Sequence, residues 1–136
     1  MAISKARHPA RIRRCNLYHP LDLGRRYDLV WSYEVVEHIH PDYVDNLMSI
    51  LTSAADRVVL SAARPGQGGH GHFNEQPPEY WIALFDQRGY DLDAGATERL
   101  HDLNEAFSDN MLAFYRRGVI GPAGVQAHAV RTMEGA

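Results

Sequence analysis

The chain has 136 residues, of which 45% are hydrophobic and 23% charged, and its formal net charge is -3 with neutral histidines. This length fits one domain that buries roughly two-thirds of its unfolded surface. No apolar run approaches the roughly 20 residues needed to cross a bilayer, and the amino-terminal segment lacks the apolar core of a secretory signal. The single cysteine, Cys15, excludes an intrachain disulfide. Together these features predict a cytoplasmic protein without a membrane partner.

Basic residues are concentrated near the amino terminus. Half of the 14 Lys and Arg residues lie in the first 26 positions: Lys5, Arg7, Arg11, Arg13, Arg14, Arg25 and Arg26. Such a cluster can contact nucleic acid or another polyanion. Because no aromatic residues alternate with the arginines, a solvated, flexible arm over residues 1–10 is the favoured interpretation, and a nucleic-acid partner is disfavoured.

The most informative segment is YDLVWS at residues 27–32. It is a continuous apolar run of the kind that parallel sheets bury on both faces, so we predict a strand with Trp31 in the core. The run ends in a polar cluster that contains Glu34, Glu37 and His38. The sequence therefore places these side chains at the carboxyl end of a sheet, where open α/β folds bind their ligands.

A helix and a second strand follow this segment. Pro41 in a first turn, with Asp42 beside it, starts the helix in a way that its dipole favours. The helix has one apolar stripe at the spacing i, i+3, i+4, i+7, formed by Val44, Leu47, Met48, Leu51 and Ala54. Residues 57–62 form a second apolar run. Strand, helix and strand over about 35 residues predict a right-handed βαβ unit.

The remaining segments carry weaker patterns. Residues 64–72 form a glycine-rich loop that is followed by no Lys-Ser/Thr pair, so it does not fit a phosphate-binding P-loop. Asn74 and Glu75 are expected to cap the next helix or hold the loop. The other expected elements are a weak strand at 10–17, a helix from 77 to 88, a strand at 90–94, a helix at 98–108, a strand at 110–116 and a flexible tail at 118–136.

Two stretches resemble class I S-adenosylmethionine-dependent methyltransferases. The first is YDLVWSYEVVEHI at residues 27–39, in which the family's E-x-x-E-H group corresponds to Glu34, Glu37 and His38; the second is GHFNEQPPEYWIALF at residues 71–85. The segment NMLAFYRR is also similar to the family's final strand. The resemblance covers residues 11–117 and the latter half of that fold. It implies a truncated α/β domain with a partial Rossmann-like sheet, a parallel βαβ core and a C-terminal antiparallel strand pair.

The family's first two strands have no counterpart in this sequence, and neither does their G-x-G-x-G cofactor loop or their ribose-binding acid. Asn16 and Leu17 follow the position of the third strand, where relatives often carry an acid for the adenine amino group. The resemblance implies S-adenosyl-L-methionine as cofactor, with contacts from Asn16, Leu17, Ser32, Tyr33 and Glu34. Trp31, if not in the core, would be a wall of the adenine pocket. Residues 28–32 would be an unpaired sheet edge, which predicts self-association or low stability.

The E-x-x-E-H group is compatible with more than one chemistry. If the segment after Ser32 is helical, Glu34, Glu37 and His38 share one face, and with His72 they could hold manganese, iron, zinc or magnesium. The resemblance implies such a metal, because relatives that methylate RNA 2′-hydroxyls or ubiquinone precursors depend on one. Alternatively, Glu37 and His38 pair without a metal or line a substrate pocket, or His38 is a general base. The interpretation without a metal is favoured, because the ligand set is neither cysteine-rich nor closed.

These observations lead to one main functional prediction and two alternatives. The main prediction is a methyltransferase in which Glu37 and His38 are catalytic and a hydroxyl of a small molecule, a sugar or a ribose accepts the methyl group. The first alternative is a catalytically inactive remnant that serves as an interaction or structural module. The second is an inert scaffold whose basic arm binds polyanions.

Overall fold

The computed structural model describes residues 12–123; the predicted arm at 1–10 and the predicted tail beyond 123 lie outside the described residues. Short 3₁₀ turns at Val36–His38, Pro41–Tyr43 and Ser108–Asn110 separate the longer elements. These longer elements are, in chain order, β1 (Val30–Ser32), α1 (Val44–Ala54), β2 (Arg57–Ser61), α2 (Pro78–Asp86), β3 (Tyr90–Leu92), α3 (Ala94–His101) and β4 (Met111–Arg116).

The four strands form one sheet in the order β1-β2-β4-β3. β1 and β2 are parallel and are joined through α1, whereas β4 is antiparallel to both β2 and β3. The sheet confirms the predicted fold, a parallel βαβ core with a C-terminal antiparallel strand pair. Over the described residues β1 pairs only with β2, so it is an edge strand.

The core lies between the sheet and the helices α1 and α2. The predicted apolar stripe of α1 is buried, and so are the predicted core residues of α2, Trp81 and Phe85. The Phe85 ring stacks on Phe114 of β4 with ring centroids 3.9 Å apart, and the ring of Tyr90 meets its edge at 5.7 Å. One connected hydrophobic cluster therefore joins both helices to β2, β3 and β4.

The prediction that Trp31 lies in the core is wrong, because its side chain is 54% exposed. Trp31 lies in β1, and none of the described segments covers that side of the edge strand fully. The neighbouring Leu29 and Tyr33 are exposed as well. An apolar run indicates that a strand can be buried on both faces, but the burial itself depends on elements packing there.

Three further predicted elements differ from the structure: the strand at 10–17, the strand at 90–94 and the helix at 98–108. Residues 12–17 form no strand, and the third strand ends at Leu92 because Asp93 begins a helix there. The Asp93 carboxylate accepts a hydrogen bond from Ala96 N, so α3 starts at Ala94 rather than at Glu98. It ends at His101, and positive φ angles at Asn104 and Phe107 prevent the helix from reaching the predicted end at Ser108.

None of the helices between residues 12 and 123 is long and apolar enough to cross a membrane.

Candidate functional site

The site begins where β1 ends at Ser32. Glu34 has a φ of +50°, a left-handed conformation that a continuing α-helix does not allow. The helix considered for this segment is therefore absent, and Glu34, Glu37 and His38 do not share a helical face. A single 3₁₀ turn, Val36–His38, carries Glu37 and His38 instead.

The Glu34 carboxylate links three strands at the carboxyl end of β1 and β2. Its Oε1 accepts hydrogen bonds from Ser61 Oγ at 3.1 Å and from Asn110 Nδ2 at 3.2 Å, and its Oε2 accepts one from Gln67 Nε2 at 3.2 Å. Burial alone would raise the pKa of Glu34, but the neighbouring Glu37 carboxyl and these hydrogen bonds lower it below its ordinary value. Glu34 is thus an ionised carboxylate that already accepts three hydrogen bonds.

Glu37 differs from Glu34 in its hydrogen bonding and in the direction of its pKa shift. Its side chain is 0% exposed, and neither carboxylate oxygen accepts a hydrogen bond from a donor group of the described residues. A protonated Glu37 can donate to the neighbouring Glu34 carboxylate. Burial and the adjacent Glu34 raise the pKa of Glu37 to about 7. Its backbone carbonyl accepts hydrogen bonds from Phe73 N and Asn74 N, which fixes the turn beneath the loop that follows β2. A buried carboxylate with unused lone pairs requires either a proton or a cation.

Two histidines lie beside Glu37. The His38 and His72 rings meet edge to face with centroids 4.8 Å apart. His38 Nδ1 lies 3.0 Å from the Gly71 carbonyl oxygen, and His72 Nδ1 lies 2.8 Å from Glu75 Oε1. Since a carbonyl and a carboxylate only accept hydrogen bonds, both Nδ1 atoms carry the proton, and each Nε2 keeps a free lone pair.

A divalent metal fits these residues. Glu37, His38 and His72 each offer one ligand atom, and these atoms lie within 4.8 Å of one another. Two imidazole nitrogens and one carboxylate oxygen suit zinc, manganese or iron better than magnesium, and three protein ligands leave positions open for substrate. Glu34, the fourth predicted ligand, is not part of this group. No donor group of the described residues reaches the two Glu37 oxygens, and this favours a cation beside them when the carboxyl is ionised.

The glycine-rich loop does not act as a phosphate loop. Gly66 N and Gly68 N donate to the Glu75 carboxylate at 2.9 and 2.6 Å, so two of its backbone donors are already paired. Glu75 holds the loop, as the sequence suggested. Asn74 is buried below the loop and does not cap α2, whose N-cap is Pro77.

The predicted cofactor residues Asn16 and Leu17 line a cavity of about 420 Å³. Ile39 and Tyr18 also line it, and the Tyr18 hydroxyl donates to the His38 carbonyl oxygen at 3.4 Å, so the cavity lies near the backbone of His38. Asn16 Oδ1, the atom expected to meet the adenine amino group, accepts a hydrogen bond from Tyr18 N at 3.0 Å. Asn16 therefore closes a local turn with its oxygen, which keeps one further lone pair for a ligand beside the amide NH₂.

The other two predicted cofactor residues lie at the end of β1. Ser32 is buried, whereas the exposed Tyr33 donates a hydrogen bond from its hydroxyl group to the Ala106 carbonyl oxygen. Sequence analysis missed Ser61, Gln67 and Asn110, the partners of Glu34. Ser61 and Asn110 were detectable in principle, because Ser61 ends the second apolar run and Asn110 directly precedes the last strand at the same sheet edge.

No protein-family model matches the chain, and no curated protein matches it either. Solved structures do match. Magnesium protoporphyrin IX methyltransferase (ChlM) from Synechocystis PCC 6803 with bound SAH has a TM-score of 0.52 at 17% identity. The match covers 75% of this chain and 49% of that one, so the chain spans about half the length of ChlM.

Two further matches have similar strength. The methyltransferase domain of bacterial CtHen1-C has a TM-score of 0.54 at 15% identity, over 85% of this chain and 67% of that one. The small RNA methyltransferase HEN1 has a TM-score of 0.52 at 12% identity, over 80% of this chain and 16% of that one. Likeness at this level of identity establishes a fold and leaves the chemistry open. The described residues have part of the class I S-adenosylmethionine-dependent methyltransferase fold.

Proposed function

We propose that the chain carries the acceptor-activating part of an S-adenosylmethionine-dependent O-methyltransferase. The observation that carries the proposal is the buried Glu37 carboxylate, which accepts from no donor group of the described residues, beside two histidines whose Nε2 lone pairs are free. A general base must have a free lone pair within reach of the proton that it removes. His38 meets this requirement, and its backbone carbonyl accepts a hydrogen bond from Tyr18, which lines the same cavity as Asn16 and Leu17.

The proposed reaction transfers one methyl group to a hydroxyl. S-adenosyl-L-methionine supplies an electrophilic methyl group, whose bond to sulfur breaks as the bond to oxygen forms. His38 Nε2 takes the hydroxyl proton, and Gly71 O holds its Nδ1–H so that the ring keeps one orientation. A divalent metal bound by Glu37, His38 and His72 would lower the hydroxyl pKa, in which case His38 serves as a ligand rather than as the base. Asn16, Leu17, Ser32, Tyr33 and Glu34 would contact the cofactor.

The acceptor is proposed to be a hydroxyl of a small molecule, a sugar or a ribose. The names of the matching proteins include a porphyrin and a small RNA as substrates, so this fold accommodates acceptors of very different size. The site of this chain contributes oxygen and nitrogen groups suited to removing a hydroxyl proton. Which molecule carries this hydroxyl depends on the protein surface around the site, because that surface binds the rest of the acceptor.

Calorimetric titration with S-adenosylhomocysteine tests the cofactor part of the proposal. We expect micromolar binding, and we expect Tyr33→Ala to weaken it about tenfold because Tyr33 lies at the carboxyl end of β1. Tyr27→Ala is the matched control, since Tyr27 has the same exposure but lies before the amino end of the strand. The absence of binding at millimolar ligand would contradict the proposal and favour the non-catalytic interaction module.

We further propose that the β1 edge pairs with a second copy of this chain. Leu29, Trp31 and Tyr33 give this edge an exposed apolar surface, and edge strands with such surfaces tend to pair with other strands. Light scattering should report a dimer, and Trp31→Lys should shift it towards monomer. Val119→Lys, at another exposed apolar residue, should leave the mass unchanged. A wild-type protein that is monomeric at high micromolar concentration would exclude this pairing.

A further inference from the structure

The glycine-rich loop lies against both histidines of the site. A Cβ on Gly71 would come within 3.4 Å of His38 Nδ1, and the Gly71 carbonyl oxygen accepts the proton of that nitrogen. A Cβ on Gly69 would lie only 2.6 Å from His72 Nε2. At Gly69 even a methyl group would collide with the imidazole. The loop thus leaves just enough room for the two rings.

Glu75 connects this loop to His72 through three hydrogen bonds. Its Oε1 accepts from Gly68 N at 2.6 Å and from His72 Nδ1 at 2.8 Å, and its Oε2 accepts from Gly66 N at 2.9 Å. Both residues are largely shielded from solvent, with side chains that are 11% exposed for His72 and 17% for Glu75.

We propose that Glu75 is a positioning residue that sets the tautomer and orientation of His72 and thereby prepares this ring for a metal ion. An ionised carboxylate only accepts hydrogen bonds, so it selects the Nδ1–H form and leaves the lone pair on Nε2. The same carboxylate anchors Gly66 and Gly68, which holds the loop around the ring. This inference rests on the proposed function for the role of the metal, whereas the tautomer that it specifies exists without one.

The loop glycines therefore have a different task from those of a nucleotide-binding loop. Their backbone donors bind a carboxylate of the chain itself, and their missing side chains make space for imidazole rings. Carboxylate partners of metal-binding histidines orient the ring, and their loss lowers metal affinity about 10- to 100-fold. We expect an effect of this size when Glu75 is neutralised.

The deciding experiment compares wild type, Glu75→Gln and Glu79→Gln without metal. Long-range ¹H–¹⁵N spectra at about pH 8.5, well above the reference histidine pKa of ~6.5, report which ring nitrogen of His72 carries the proton. We expect Nδ1–H alone in wild type and in Glu79→Gln, which neutralises an exposed carboxylate of α2. Glu75→Gln should show a mixture of tautomers, because one of its two oxygens becomes an NH₂ group that cannot accept. A single Nδ1–H form in Glu75→Gln would overturn the inference.

Metal titration of the same three proteins gives the second measurement. Manganese or zinc should bind Glu75→Gln about 10- to 100-fold more weakly than Glu79→Gln. If wild type binds neither metal, the metal part of the proposed function fails, while the tautomer spectra still decide the role of Glu75. Equal affinity of both variants for a metal that wild type binds would count against the inference.

Glycine variants test the loop independently of the Glu75 side chain. Gly69→Ala should displace the His72 ring and weaken metal binding at least tenfold, because its methyl group would collide with Nε2. Gly68→Ala is the control: it also places alanine at a positive φ, +71° compared with +153° at Gly69, but its Cβ meets no atom within 4 Å. Equal His72 ring shifts and equal metal affinity in the two variants would show that backbone strain alone matters. That result would contradict the role of Gly69 in leaving space for the His72 ring.

Discussion

Replacing Glu37 by Gln is expected to stabilise the metal-free protein at pH 8 and to abolish its stabilisation by divalent metal. Folding raises the pKa of this carboxyl from 4.5 to about 7. Between these two values the folded chain retains a proton that the unfolded chain has released, so the free energy of unfolding decreases as the pH rises. Above pH 7 the buried charge of Glu37 has its full effect and lowers the free energy of unfolding by roughly 3 kcal/mol at most.

Glutamine removes the buried charge and retains the shape of the side chain. We expect the free energy of unfolding of the variant to exceed that of wild type by about 1–3 kcal/mol at pH 8, because burying a neutral amide costs less than burying a charge. The difference should be much smaller at pH 5, where the wild-type carboxyl is protonated. Urea unfolding at both pH values in the presence of a chelator measures the difference. Glu79→Gln is the control, since its carboxylate is exposed. A Glu37→Gln variant that is no more stable than this control at pH 8 would refute the electrostatic argument.

The same variant should respond differently to metal. A ligand at 100 times its dissociation constant stabilises the folded state by about 2.7 kcal/mol, so manganese or zinc should raise the melting temperature of wild type. Glu37→Gln loses the only negatively charged ligand of the group and should show little shift. An equal shift in both proteins would mean that the metal binds somewhere other than at Glu37, His38 and His72.

Phe85→Ala is expected to cost about 3–5 kcal/mol of the free energy of unfolding. The Phe85 ring is fully buried, stacks on Phe114 and contacts Tyr90, so its removal leaves a cavity where α2 meets the sheet. Small domains have roughly 5–15 kcal/mol of stability in total, and the variant should therefore be partly unfolded at moderate temperature. Urea denaturation followed by circular dichroism gives the magnitude.

Phe73→Ala is the matched control for the core variant. Its ring is 61% exposed, so the same chemical change removes little buried surface and should cost less than about 1 kcal/mol. Similar losses in both variants would contradict the assignment of the core. Phe73 also donates its backbone N–H to the Glu37 carbonyl, and this bond remains in the alanine variant.

A comparison of predicted and observed segments shows which elements local sequence patterns are sufficient to predict. The stripe of α1 and the final strand were predictable because each depends on local periodicity. The start of α3 was missed because the capping Asp93 carries no apolar signal and precedes a helix of low apolar content. Trp31 was misplaced because burial on the second face of β1 depends on elements packed there, and sequence periodicity does not report them.

The sequence by itself determined the parallel βαβ core and the concentration of acids and histidines after the first strand, because these follow from hydrophobic periodicity and residue order. The antiparallel C-terminal pair was expected only from the resemblance to the methyltransferases. Only the tertiary structure decided which of these groups act together. The left-handed Glu34 directs one carboxylate towards Ser61 and Asn110, while the buried Glu37 carboxylate receives no hydrogen bond from a donor group between residues 12 and 123. His72, more than 30 positions away, joins Glu37 only because the loop after β2 folds back over the 3₁₀ turn. Contacts between distant segments depend on how the chain packs, and no local pattern encodes them.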